Sequence, residues 1–184
     1  MKGASTAIRA RVMFAFAVAF VGAATVVFAV ASFAGATVGW LVPTPWRVYA
    51  GAASLLILAL VDVSSLHARS YCLIGARRQA RQSLILTYSV PVVAAVWGFD
   101  TGLAVTTYRV SAMTWAAFAL ALLGFAPWWI GIAYGAALAT PMLLLMFITT
   151  SAERLQHELR RRSLIQTTSA IVLATAGTFL LITP

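Results

Sequence analysis

The stretch Val110–Ala152, VSAMTWAAFALALLGFAPWWIGIAYGAALATPMLLLMFITTSA, runs for 43 residues without one Asp, Glu, Lys, Arg or His. A segment so long and so apolar is at home only in lipid or among other membrane helices. At about 1.5 Å per residue it would form a helix of roughly 64 Å, twice what one bilayer core requires. The run therefore has to fold back on itself. Gly124-Phe125-Ala126-Pro127 is where the sequence permits this, because glycine tolerates dihedrals closed to other residues and proline lacks the amide a helix needs.

Charge is scarce outside this run as well: 13 Lys and Arg and 4 Asp and Glu stand among 184 residues, of which 62% are apolar. Soluble domains carry about a quarter charged residues, so the composition specifies an all-α, polytopic integral membrane protein. Reading uncharged runs as spans places helices near residues 12–33, 48–66, 84–105, 110–123, 128–149 and 164–182, a six-helix bundle in a single transmembrane domain over 1–184. The run from Val12 to Trp46, preceded by Lys2, Arg9 and Arg11, far exceeds the roughly 7 to 15 residues of a cleavable signal core. It reads as a signal anchor in the cell membrane with a cytoplasmic amino terminus.

Two connections are basic. His67–Gln82 carries Arg69, Arg77, Arg78 and Arg81, and Ser151–Arg162 carries Arg154, Arg160, Arg161 and Arg162. In the second, Thr150 and Glu153 have capping-box spacing, while Glu153 with His157 and Glu158 with Arg162 are i,i+4 neighbours, which predicts a helix extending out of the membrane. The net charge of +9 lies in short clusters flanking apolar runs and not on a globular face, so the expected partner is the bilayer with its anionic lipids, not nucleic acid.

A weak repeat links the halves. Ser83-Leu84-Ile85-Leu86-Thr87-Tyr88-Ser89 matches Ser163-Leu164-Ile165-Gln166-Thr167-Thr168-Ser169 at five of seven positions, each directly after an arginine cluster. A three-span unit repeated in this way would be inverted in its second copy, as in many transporters. Orientation then becomes the difficulty. Six crossings put Lys2, Arg9, Arg11, Arg69, Arg77, Arg78 and Arg81 on one side and Arg47, Arg109, Arg154, Arg160, Arg161 and Arg162 on the other, seven cations against six, whereas the positive-inside rule expects a clear excess. The competing arrangement has five spans and a re-entrant segment at 110–126, which makes the count eleven against two and gathers Trp40, Trp46, Trp97, Trp128 and Trp129 at one interface.

Several chemistries lack their residues. Both histidines, His67 and His157, lie in the basic connections, and the sole lysine is Lys2, so bis-histidine haem ligation inside the membrane and a retinal Schiff base are not expected. The single cysteine, Cys72, excludes a dithiol relay. Glu153-x-x-x-His157 has metal-ligand spacing, but among four arginines it reads as ordinary ion pairing. The sequence thus predicts no cofactor, no metal and no catalytic residue.

Asp62 is the one acidic residue inside an apolar span, where an ionised carboxylate costs about 2.5–3.5 kcal/mol on the insertion scale. It is either an anchor for a cation, a proton or a polar substrate, or half of a structural pair near the headgroups. Pro91 and Pro141 fall inside the third and fifth spans, with Thr87, Tyr88 and Thr140 beside them. Paired interruptions of this kind point to a midplane site, for which Asp62, Thr87, Tyr88, Tyr134 and Thr140 are the expected lining and Asp100 with Arg109 the expected mouth. Gly131-x-x-x-Gly135 and the Ala15, Ala19, Ala23 series offer small faces for close helix contact. The leading functional expectation is a small transporter, or the membrane-embedded substrate-binding subunit of one, for a small-molecule solute. A non-catalytic subunit or assembly factor bound to partner membrane subunits is the first alternative, and an enzyme acting on a lipid or isoprenoid phosphate the second.

Overall fold

A computed structural model describes residues 2–68, 72, 87–103, 111–148 and 154–182 of the chain. These residues form six helices: α1 (Lys2–Leu41), α2 (Thr44–His67), α3 (Val90–Gly102), α4 (Met113–Leu122), α5 (Ile130–Ile148) and α6 (Arg154–Ile182). No strand occurs among the described residues. Among the described residues three stretches are long and apolar enough to cross a membrane: Ala7–Leu41, Thr44–His67 and Arg161–Ile182. The remaining apolar helices are shorter, and α4 with its 10 residues rises only about 15 Å, half a bilayer core.

The helices differ from the expected spans for local reasons. α1 starts ten residues earlier and ends eight later than the uncharged run suggested, because Ala, Val, Gly and Ser there present no helix-breaking proline before Pro43. Pro91 does not kink a long third helix. It stands in the first turn of α3 behind Ser89, with Thr87 and Tyr88 in the preceding turn, a position where the missing amide has no intrahelical partner to lose. Pro141 lies within the continuous α5. The repeat is not carried into structure over its described part, since Thr87, Tyr88 and Ser89 precede a helix while Thr167, Thr168 and Ser169 lie inside α6. α4 ends in a turn at Gly124, which adopts φ 78°, and the Gly124 and Phe125 amides close that end on the carbonyls of Ala121 and Leu120.

The chain divides into two compact units. The first contains α1 as far as Val27, α3 and α5. In it Phe16, Phe20, Ala94 and Ala139 form a core flanked by Val12, Val21, Trp97, Leu138 and Leu143. Trp97 thus packs against this core. α3 lies parallel to α1 at very close range, for a Cβ added at Gly98 would overlap the Phe16 carbonyl oxygen and one at Gly102 the Phe20 carbonyl oxygen. α5 runs the other way, with Gly135 against Val21 and Ala24. The small residues of Gly131-x-x-x-Gly135 and of α1 serve packing inside the unit, as Gly135 and Ala23 show.

The second unit contains α1 from Phe28, α2, α4 and α6. Its core is built from Leu55, Leu58, Ala59, Cys72, Ala112, Ala116 and Leu173. α6 is antiparallel to α2: Ser169 meets Asp62, and eight residues on Gly177 meets Ala52 and Leu56. α4 is also antiparallel to α2, with Ala112 at Asp62 and Leu120 and Leu123 at Gly51.

Gly98→Leu and Gly102→Leu should each force α3 away from α1 and lower the melting temperature of the detergent-solubilised protein by several degrees. Gly22→Leu, where an added Cβ meets nothing within 4 Å, should leave it within a degree or two of wild type, on the order of the ±0.5 kcal/mol typical of surface changes.

Candidate functional site

Asp62 occupies the buried face of α2 one turn before Ser65, and neither side chain has any exposure. Opposite them α6 presents Gln166 and Ser169, each about 1% exposed, and α4 contributes Thr114 at 5%. The result is a polar cluster enclosed by three apolar helices of one unit. Asp62 organises it. Its Oδ1 accepts the Ala112 amide at 2.7 Å, and its Oδ2 accepts the Ser169 hydroxyl at 2.5 Å. The Ser65 hydroxyl donates to the Val61 carbonyl at 2.7 Å, back onto its own helix.

Ala112 is the residue that caps the amino terminus of α4, and it has no side chain able to do so. The first turn of α4 also lacks an acid of its own. A helix start exposes unpaired amides and a partial positive charge, which in an apolar interior need an acceptor. Asp62 supplies it from the neighbouring helix. One carboxylate thus ties α2, α4 and α6 together.

The other end of α4 is held in the same manner. Arg47, near the start of α2, donates from Nη1 to the Leu123 carbonyl at 3.4 Å and from Nη2 to the Thr44 hydroxyl at 3.1 Å. Its guanidinium carbon lies 5.8 Å from the centroid of the Phe125 ring, within cation–π range. A cation at the carboxyl end of a helix complements its partial negative charge. The two charged residues of α2 thus grip the two poles of α4.

The other described residues expected to line a site or its mouth lie on or beside α3 and α5. Thr87 and Tyr88 are exposed ahead of α3. Tyr134 is half-buried on α5, and Thr140 is exposed there with its hydroxyl turned back to the Ala136 carbonyl at 2.8 Å. Asp100 is half-buried in the last turn of α3. These five belong to the first unit and Asp62 to the second. Arg109, Thr150 and Glu153 lie outside the described residues.

The residues that do surround Asp62 could have been found from a spacing. Asp62-x-x-Ser65 on α2 and Gln166-x-x-Ser169 on α6 each place two polar groups one turn apart within an apolar helix, the mark of a buried polar stripe. Arg47 carried no such signal, since an arginine beside a span end ordinarily reads as an interface anchor.

Comparisons of the chain with family models, with curated proteins and with solved structures found no match. The local chemistry therefore has to carry the reading. One open furrow follows α2 and α6, lined by Leu56, Ala59, Leu60, Val63, Ala170, Ile171 and Ala174, and another lies along α6 alone, lined by Ala174, Thr175, Thr178, Phe179 and Ile182. Neither reaches the carboxylate.

Asp62→Ala strands two buried donors at once and should lower stability by about 1–3 kcal/mol. Ser169→Ala removes one interhelical bond, worth about 0.6 kcal/mol on average in membranes. Chemical denaturation in mild detergent should return that order. Equal effects would show that the Ala112 amide gains nothing from Asp62.

Proposed function

We propose that the chain is a five-crossing protein of the cell membrane, with a cytoplasmic amino terminus, and that it works as a non-catalytic component of a larger membrane assembly. The topology is supported by the antiparallel pairing of α2 and α6. It sets the chain leaving α2 at His67 and the chain entering α6 at Arg154 at the same end, so an even number of crossings separates them. α5, with 19 residues, is long enough for one at about 1.5 Å per residue. α3 and α4, with 13 and 10 residues, each fall short and count as one between them. Both arginine connections then share the cytoplasmic face with Lys2, Arg9 and Arg11, the excess that the positive-inside rule describes.

The functional reading is carried by one observation: both oxygens of the buried Asp62 are occupied by protein donors that fasten three helices together. A carboxylate engaged in this way is a fastener, not a binding surface. The exposed threonines of α6, Thr167, Thr168, Thr175 and Thr178, support the assembly reading, because hydroxyl residues on a lipid-facing helix are typical of contacts with another membrane helix. A second reading, a solute transporter, is favoured by the interrupted geometry of α4. Half-length helices whose amino termini lie buried among polar groups form the substrate sites of many transporters, and transport here would require Asp62 to exchange Ala112 or Ser169 for a ligand.

Two measurements separate these readings. With Cys72 replaced by Ser, a cysteine introduced at His157 should react with an impermeant maleimide only after permeabilisation. Labelling in intact cells would establish six crossings. Asp62→Asn should reduce thermal stability and membrane abundance together under the assembly reading, and the wild type should leave mild detergent extraction with a partner chain in fixed stoichiometry. A lone particle of 19.6 kDa plus micelle, with Asp62→Asn fully abundant but unable to accumulate a solute, would instead establish the transporter.

A further inference from the structure

Arg47 brings a full charge to the first turn of α2, and its neighbours answer that charge only in part. A Cβ added at Gly39 or at Gly124 would stand 3.2 Å from Nη1, so the guanidinium is seated between the end of α1 and the turn after α4. There it bonds the Leu123 carbonyl and lies over the Phe125 ring, while Nε is buried with no acceptor. A carbonyl, a hydroxyl and a ring face supply no unit of negative charge, which is what a part-dehydrated cation calls for. Of the acidic side chains described, Asp62 is committed to Ala112 and Ser169 at the other pole of α4, and Asp100 belongs to the other unit. Among the described residues Arg47 therefore has no anion of its own.

One edge of the guanidinium is open. The bond from Nη2 to the Thr44 hydroxyl lies at the surface, and Thr44 is exposed. A hydroxyl that accepts one bond keeps its own proton to donate, so Nη2 and Thr44 Oγ1 are two donors side by side, 3.1 Å apart. Tryptophans flank them. Trp40 follows Gly39, Trp46 precedes Arg47 and Trp128 stands shortly beyond Phe125, and all three are exposed. Exposed tryptophan at the end of a membrane span sits at headgroup depth, and α2, long and apolar enough to cross, begins here. The unanswered charge thus lies where lipid phosphates lie.

We infer that Arg47 and Thr44 form a binding site for the phosphate of a phospholipid, with Trp40, Trp46 and Trp128 around its headgroup. A phosphodiester carries the single negative charge that the guanidinium lacks, and its two unesterified oxygens can accept from Nη2 and from the Thr44 hydroxyl at once. The aromatic surroundings select a lipid over free phosphate, since a small hydrated anion gains nothing from indole rings, whereas a headgroup and the glycerol beneath it pack against them. Arg47 then has two tasks, closing the end of α4 with Nη1 and holding a lipid with Nη2. The site requires that α2 cross the membrane and does not rest on the five-crossing count. Under that count it lies on the face opposite the two arginine connections.

The test is amide hydrogen exchange on the whole protein in mild detergent, which reports where along the chain a lipid binds. Phosphatidylglycerol, a galactosyl diacylglycerol without phosphate, and inorganic phosphate are added separately. Phosphatidylglycerol should slow exchange over residues 44–47 by about tenfold, the scale of one charge-assisted hydrogen bond, and the other two additions should leave it unchanged. Arg47→Gln should abolish the slowing. Because that variant also touches the end of α4, Thr44→Ala provides a second check at an exposed position: it should reduce the slowing about threefold and leave the melting temperature at the wild-type value. Equal slowing by the galactolipid, slowing by inorganic phosphate alone, or slowing confined to the arginine connections would overturn the proposal on the wild type. So would slowing of full size in Thr44→Ala or in folded Arg47→Gln.

Discussion

α4 is a ten-residue helix that cannot satisfy its own ends, and the second unit is arranged around that constraint. A helix leaves four amides and four carbonyls unpaired at its termini, and in an apolar medium each needs a partner inside the protein. α4 brings no capping side chain at its amino end and no cation in its last turn. α2 supplies both, with Asp62 at one pole and Arg47 at the other. The two residues are fifteen positions apart, about 22 Å along a helix, which matches α4 together with its flanking turns. α4 must therefore lie antiparallel to α2.

Close approach of backbones supplies the rest of the architecture. In lipid no hydrophobic gain separates a helix pair from two solvated helices, so packing and hydrogen bonds decide which helices adhere. Gly35 lets α1 meet the end of α4, where an added Cβ would overlap the Ala121 carbonyl oxygen and approach the Gly124 amide. Gly124 in turn takes the left-handed dihedral that turns the chain away. Phe118 fills the space beside this contact, edge-on to Phe28 at 6.3 Å and to Trp115 at 6.5 Å. In the first unit Gly98 and Gly102 play the same part against Phe16 and Phe20.

Much of this was readable along the chain. The apolar runs that became α1, α2 and α6 are long enough to announce themselves, and Gly124 through Pro127 marked the turn because only a few residue types can reverse a chain there. Pro91 was misleading, since a proline in an apolar run is equally compatible with a kink and with a first turn, and only the helical or non-helical state of Thr87 and Tyr88 distinguishes them. Asp62 was recognisable as exceptional from the energetic cost of its surroundings. Its partners were not recognisable, for Ser169 and Ala112 are 107 and 50 residues away, and neither residue type carries a sign of what it will touch.

Composition and the apolar runs by themselves pointed to an apolar solvent, to helices and to the turn at Gly124, because these follow from transfer free energies and local dihedral preferences that each residue carries with it. Only the tertiary structure decided the direction in which α2 and α6 meet and the use to which Asp62 and Arg47 are put. Those depend on which helix faces which, a matter of a few hydrogen bonds and glycine contacts between segments far apart in the chain. The apolar run from Val110 onward is silent on them because, without charge or polar periodicity, it favours no one neighbour over another.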